Sequence, residues 1–150
     1  MQYKVYGKQN RDVIILLHGG GLSWWNYREV SERLQNDFQI IIPILDGHAG
    51  SDKNFTTIKD NAGEIISFID MNFGGSVLLI GGLSLGGQIL LEMLSQRKNI
   101  CRFAMVESAA VIPSKLTCSL IKPAFGGCYG LIRQKWFSKL QFRSLRMKPE

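Results

Sequence analysis

Residues 76–97 read Ser-Val-Leu-Leu-Ile-Gly-Gly-Leu-Ser-Leu-Gly-Gly-Gln-Ile-Leu-Leu-Glu-Met-Leu-Ser-Gln-Arg. An apolar run of strand length, Val77 to Ile80, meets a cluster of glycines around Ser84. Leu85, Ile89 and Met93 then recur at helical spacing, with Leu90 and Leu94 beside them. The centre, Gly82-Leu83-Ser84-Leu85-Gly86, is G-x-S-x-G. A strand that passes directly into a helix must turn within about three residues, and a serine at the apex takes a strained backbone conformation. The residues two before and two after the apex come close together, so both need to lack a side chain. Gly87 lets the helix sit tightly on the strand. The serine hydroxyl is then presented at a helix N-terminus, whose unpaired N–H groups and positive dipole end suit a developing oxyanion. The motif alone is weak, because a Gly-rich turn that merely packs well has the same letters. The flanking strand and helix, and the segments upstream, give it weight.

Upstream, Val13 to Leu17 is a continuous apolar run, as expected for a strand buried on both faces of a parallel sheet. It ends in His18-Gly19-Gly20-Gly21. Tyr27, Val30 and Leu34 predict a helix of about three turns. Gln39 to Pro43 is the next strand, with Pro43 expected to stop it, and Asp46-Gly47-His48-Ala49-Gly50-Ser51 lies in the loop after it. Thr57 with Asp60 marks a helix start. Ile58, Ala62, Ile65, Ile66, Ile69 and Phe73 keep one helical face until Gly74-Gly75 ends it. Arg102 to Val106 is a further buried-strand candidate that leads to Glu107, with Cys101 expected in the core, and Gln2 to Tyr6 is a candidate edge strand. Strand and helix alternate four times with short connections. The fold class is therefore α/β, a mostly parallel sheet with helices on both faces. Ligands of such sheets bind at the carboxyl ends of the strands. His18 to Leu22, Asp46 to Ser51, Leu83 to Leu85 and Glu107 to Ala110 all fall at that edge.

Composition is that of an ordinary globular chain, 45% hydrophobic and 20% charged, with no apolar run of membrane-spanning length. The N-terminus has no signal-peptide core. Three cysteines, Cys101, Cys118 and Cys128, show no metal-ligand spacing, and their odd number reads as reduced thiols in a cytoplasmic protein. No cofactor or metal is expected. The net charge of +6 is uneven: residues 1–112 carry 10 basic and 11 acidic side chains, residues 113–150 carry 8 and 1. In the basic part Lys135, Lys139, Arg143 and Arg146 recur at helical spacing between Leu131, Trp136, Phe137 and Leu140. A membrane-surface helix is one reading of that segment, though not the favoured one. Nucleic-acid binding is not expected, since no recognition motif accompanies the charge. If the chain stops at Glu150, the apolar face of this segment invites self-association.

Leu-Leu-His-Gly-Gly-Gly after the first buried strand, Asp-Gly-His-Ala-Gly-Ser after the second and Gly-Leu-Ser-Leu-Gly-Gly after the third resemble the α/β-hydrolase superfamily in order and spacing, over about residues 2–112. The resemblance implies a serine hydrolase acting on a small-molecule, ester-like substrate. It puts the nucleophile on Ser84, one oxyanion donor on the N–H of Leu85 and the second on the N–H of Gly20, or less readily Gly21. It makes the Asp-Gly-His loop structural. It also implies that residues 1–112 are the N-terminal part of the hydrolase core and that 113–150 open a lid. The family order is Ser, then Asp or Glu, then His. Both histidines here, His18 and His48, precede Ser84. The usual base is therefore missing, and the expectation is a poorly active or inactive N-terminal part of a protein of roughly 230–280 residues.

Glu107 stands where some family members carry the triad acid, but it is read first as a solvated loop residue. His18 and His48 are read as hydrogen-bonded loop residues rather than bases. Trp24 and Trp25 are read as core, with a pocket wall as the alternative. A non-catalytic module that binds a small apolar molecule or a protein, and a lyase or acyltransferase on the same fold, stay open, because fold and motif do not separate these chemistries.

Overall fold

The computed structural model describes residues 1–9, 11–112, 130, 134, 136 and 137. Met1–Val111 is one compact unit. The basic segment 113–150, with its expected lid and helix, lies almost wholly outside the described residues.

Five strands form one sheet. They are β1 (Gln2–Tyr6), β2 (Val13–Leu17), β3 (Gln39–Ile44), β4 (Val77–Leu83) and β5 (Cys101–Glu107), in the spatial order β1-β3-β2-β4-β5. β1 pairs antiparallel with β3, and the other pairs are parallel. The crossovers are α1 (Arg28–Leu34), α2 (Ile58–Phe73) and α3 (Leu85–Gln96), a mostly parallel α/β sheet as expected. The runs Val-Ile-Ile-Leu-Leu of β2 and Gln-Ile-Ile-Ile-Pro-Ile of β3 are buried at every position, because each strand has a neighbour on both sides and cover on both faces.

Two clusters fill the space between the layers. On one face Ile15, Leu17, Ile41 and Ile80 meet Ile65 and Ile69 of α2 and Ile89, Leu90 and Met93 of α3. On the other, Ile14, Leu16, Ile40 and Ile42 meet Trp24, Tyr27 and Leu34. Each such side chain, once fully buried, contributes about 1.5–3 kcal/mol relative to exposure. α2 starts where the sequence indicated: the Thr57 hydroxyl accepts the N–H of Asp60 at 3.0 Å. It ends at Gly74 in the left-handed conformation, φ 65°.

Three expectations change. The segment after the glycine loop is a 3₁₀ turn, Trp24–Tyr27, followed by the seven residues of α1, not three turns of helix. Pro43 lies inside β3 and pairs with Tyr3. Pairing with β2 has already ended at Ile41, so the missing N–H of Pro43 costs no rung there. β5 is a strand but not a buried one: all but Cys101 of its residues are exposed, because β4 is its sole partner among the described residues. Cys101 itself is half-buried against the first cluster.

Candidate active site

The turn between β4 and α3 has the geometry that its glycines demand. Ser84 sits at φ 51°, ψ −109°, a region that L-residues rarely enter. It is exposed, directly before the first residue of α3. A Cβ on Gly82 would collide with the carbonyl of Gly86. A Cβ on Gly86 would collide with the carbonyl of Leu17 and lie 2.8 Å from that of His18. A Cβ on Gly87 would lie 2.9 Å from Ala109, so this glycine does bring α3 close to its neighbours. The Ser84 N–H donates to the Glu107 carbonyl at 2.8 Å, which ties the turn to the end of β5.

β2 delivers the glycine loop to the same place. Its last rung pairs Leu17 with Gly82. The loop then turns tightly, with the Leu22 N–H donating to the Gly19 carbonyl at 3.2 Å. Gly20 is exposed, and a Cβ on it would lie 4.0 Å from the Cβ of Leu85. The two residues expected to supply oxyanion donors are thus neighbours. As the first residue of α3, Leu85 also has an N–H with no intrahelical acceptor.

His18 is fully buried beneath this loop. The Leu45 N–H donates to its Nε2 at 3.2 Å, and its Nδ1 lies 3.0 Å from the Gly19 carbonyl. An amide can only donate and a carbonyl only accept, so the ring is neutral with its hydrogen on Nδ1. Burial pushes its pKa down to about 4. Both ring nitrogens are spent on backbone, and neither is free to take a proton from Ser84. His18 therefore couples the loop after β2 to the loop after β3, as the structural reading expected. His48 stacks edge-on to it at 5.0 Å and turns Nδ1 toward the Asp46 carbonyl at 3.0 Å. Glu107 is exposed, and what it supplies to the turn is its backbone carbonyl. Trp24 packs on the second cluster, whereas Trp25 is exposed.

Sequence reasoning missed three polar supports of this edge. The Ser23 hydroxyl donates to the Ala49 carbonyl at 2.7 Å and joins the two loops. Tyr27 donates to the Leu17 carbonyl at 3.3 Å, and its phenol is held above its ordinary pKa by burial and then by the charge of Glu107. Asn61, fully buried in α2, accepts the Asp46 N–H at 3.1 Å. Asn61 did leave a signal, as an amide on the apolar face of a helix. Ser23 and Tyr27 left none. Among the described residues no group of three His, Cys, Asp or Glu side chains is placed to hold a metal ion, and no helix is long and apolar enough to cross a membrane.

A family profile described as alpha/beta hydrolase fold matches residues 12–126 of this sequence. The chain belongs to the α/β-hydrolase fold family. A search of curated protein sequences gave no match. Solved structures similar to this α/β-hydrolase chain include an esterase from a marine microorganism (18% identity, TM-score 0.74), of which the match covers 51%, against 89% of this chain. A hydrolase from Pseudomonas aeruginosa PA01 has 13% identity and a TM-score of 0.71, with 89% of this chain and 49% of that one covered. MenH from S. aureus has 18% identity and a TM-score of 0.71, with 93% and 56% covered. At such identities the likeness is one of fold. This α/β-hydrolase chain spans about half the length of the solved structures it matches.

Proposed function

We propose that the α/β-hydrolase chain is the nucleophile-bearing part of a serine hydrolase that cleaves an ester-like bond in a small molecule. The observation that carries this reading is the exposed Ser84 at φ 51°, with Gly20 placed beside Leu85. Ser84 Oγ adds to the carbonyl carbon while a base takes its proton. The carbonyl oxygen becomes an oxyanion held by the N–H groups of Leu85 and Gly20. The ester C–O bond then breaks, the alcohol leaves with the proton, and an acyl-enzyme remains. Water adds to the acyl carbon and releases the acid, which restores the hydroxyl. Each well-placed oxyanion donor is worth about 3 kcal/mol in such a step.

The base is the open term. His18 is engaged on both nitrogens, and no histidine follows Ser84 in the 150 residues. In this reading the histidine and its acid belong to a longer form, and the 150-residue chain alone turns over slowly or not at all. A cytoplasmic location is part of the proposal and rests on the odd number of cysteines, of which Cys101 is free. The engaged state of His18 also favours a second reading, a hydrolase-fold module that binds a small apolar molecule or a protein without chemistry.

Labelling with a fluorophosphonate probe separates the two. The chain, its Ser84→Ala variant and a longer form containing it are compared, each checked for folding by circular dichroism. Labelling of the longer form that is lost with Ser84 supports the hydrolase. Absence of labelling in every folded form refutes it and leaves the binding module. Labelling of the 150-residue chain itself contradicts the missing base.

A further inference from the structure

A cavity of about 670 Å³ opens at the N-terminal ends of β2 and β3, the sheet edge opposite Ser84. Its apolar walls include Val13 and Ile41 from the sheet and Phe68 and Phe73 from α2. Four polar residues, Gln9, Arg11, Gln39 and Asn72, interrupt them. Gln39, the first residue of β3, is only 8% exposed. Its backbone N–H is spent on the Asp12 carbonyl at 3.0 Å, but its side-chain amide has no hydrogen-bond partner among the described residues. That amide is not sealed in the core, and Gln39 is one of the residues that line the cavity. An accessible amide with no protein partner on a cavity wall is available to a polar ligand. Arg11, on the exposed rim, is the one charged residue of the lining, and it has no ion pair among the described residues.

We propose that this cavity is a second binding site, separate from the Ser84 edge, that takes a small monocarboxylate with a compact aryl or branched alkyl body. Arg11 donates to the carboxylate in the forked geometry that suits a guanidinium, and the Gln39 amide donates to it from inside. The apolar body lies on Phe68, Phe73, Val13 and Ile41. The volume falls in the range of small-molecule pockets, and the lining offers both apolar and polar contacts. A lining with a cation and no anion selects an anionic ligand over its neutral isostere. No residue of this cavity belongs to the Ser84 turn, so the proposal stands or falls independently of the hydrolase reading.

The test is a titration of phenylacetate into the ¹⁵N-labelled 150-residue chain at neutral pH and fixed ionic strength, followed by NMR. Saturable shifts on the Gln39 side-chain amide and on the Val13 and Phe73 amides, with a dissociation constant of about 1 mM, are expected. Phenylacetamide, which lacks the charge, should bind about tenfold more weakly or worse, and so should phenylacetate to Arg11→Gln. Arg11 is exposed, so its variant should keep a dispersed spectrum. Three results overturn the proposal: no saturable shift by about 20 mM, shifts centred on the Ser84 turn instead, or equal binding to the chain and to Arg11→Gln.

Discussion

β2 and β5 are both parallel strands, and both were read from apolar runs, yet they end in opposite environments. Every residue of β2 is buried, whereas Phe103 and Met105 of β5 are 53% and 50% exposed. The difference is not in the side chains. β2 has β3 on one side, β4 on the other, and helices over both faces, while β5 has β4 alone among the described residues. An apolar run thus announces a strand; how far the strand is buried depends on neighbours that the run itself does not encode.

The sharpest way to break that comparison is to truncate one side chain in each half. Ile41→Ala, in the buried half, should cost about 4 kcal/mol in urea unfolding, from lost transfer energy plus a cavity that packed neighbours cannot close. Phe103→Ala should cost under about 1 kcal/mol, since half of the ring already meets water. Equal costs would mean that β5 is covered after all. Two glycines extend the contrast. Gly86→Ala drives a Cβ into the Leu17 carbonyl of β2, which cannot yield, and should cost about 3 kcal/mol. Gly81→Ala meets only the ends of the Leu16 and Met105 side chains at 3.1 and 3.2 Å, which can swing aside, and should cost under about 1 kcal/mol.

Acid sharpens the comparison further. His18 anchors the buried half, and its folded pKa of about 4 lies below its ordinary value of 6.5. The unfolded chain therefore binds a proton at His18 that the folded chain refuses. This contribution to stability is full above pH 6.5 and is lost as pH falls from there to about 4. The loss is on the order of 3 kcal/mol, and His18→Gln should flatten that part of a stability–pH profile. A modest effect is expected at the start of α2, which covers the buried half. Thr57→Ala removes the cap on the Asp60 N–H and should cost about 1 kcal/mol in the same urea assay.

Much of the fold was legible in the sequence because its signals are local. The Thr57 cap, the Gly74 stop and the strand-length runs each act within a few residues. The Ser84 turn was legible for the same reason: the close approach of Gly82 and Gly86 is dictated by their spacing alone. Less legible were features that depend on which segments meet. Pro43 is tolerated inside β3 because β2 has already left it. Ser23 and Tyr27 brace loops that are distant in sequence, with partners Ala49 and Leu17 that give no compositional sign. The burial of Gln39 belongs to the same class, since a glutamine at a strand start reads as exposed until the chain is folded around it.

The bond from the Ser84 N–H to the Glu107 carbonyl gives the turn two unlike supports. On one side Gly86 rests against the end of β2, a strand with no freedom to shift. On the other, a single 2.8 Å bond holds Ser84 to the last residue of the most solvent-exposed parallel strand. The turn is therefore braced by a fully buried strand on one side and a solvent-exposed strand on the other. The end of β5 is thus joined to Ser84 by this bond and, one residue earlier, by the Leu83–Glu107 rung.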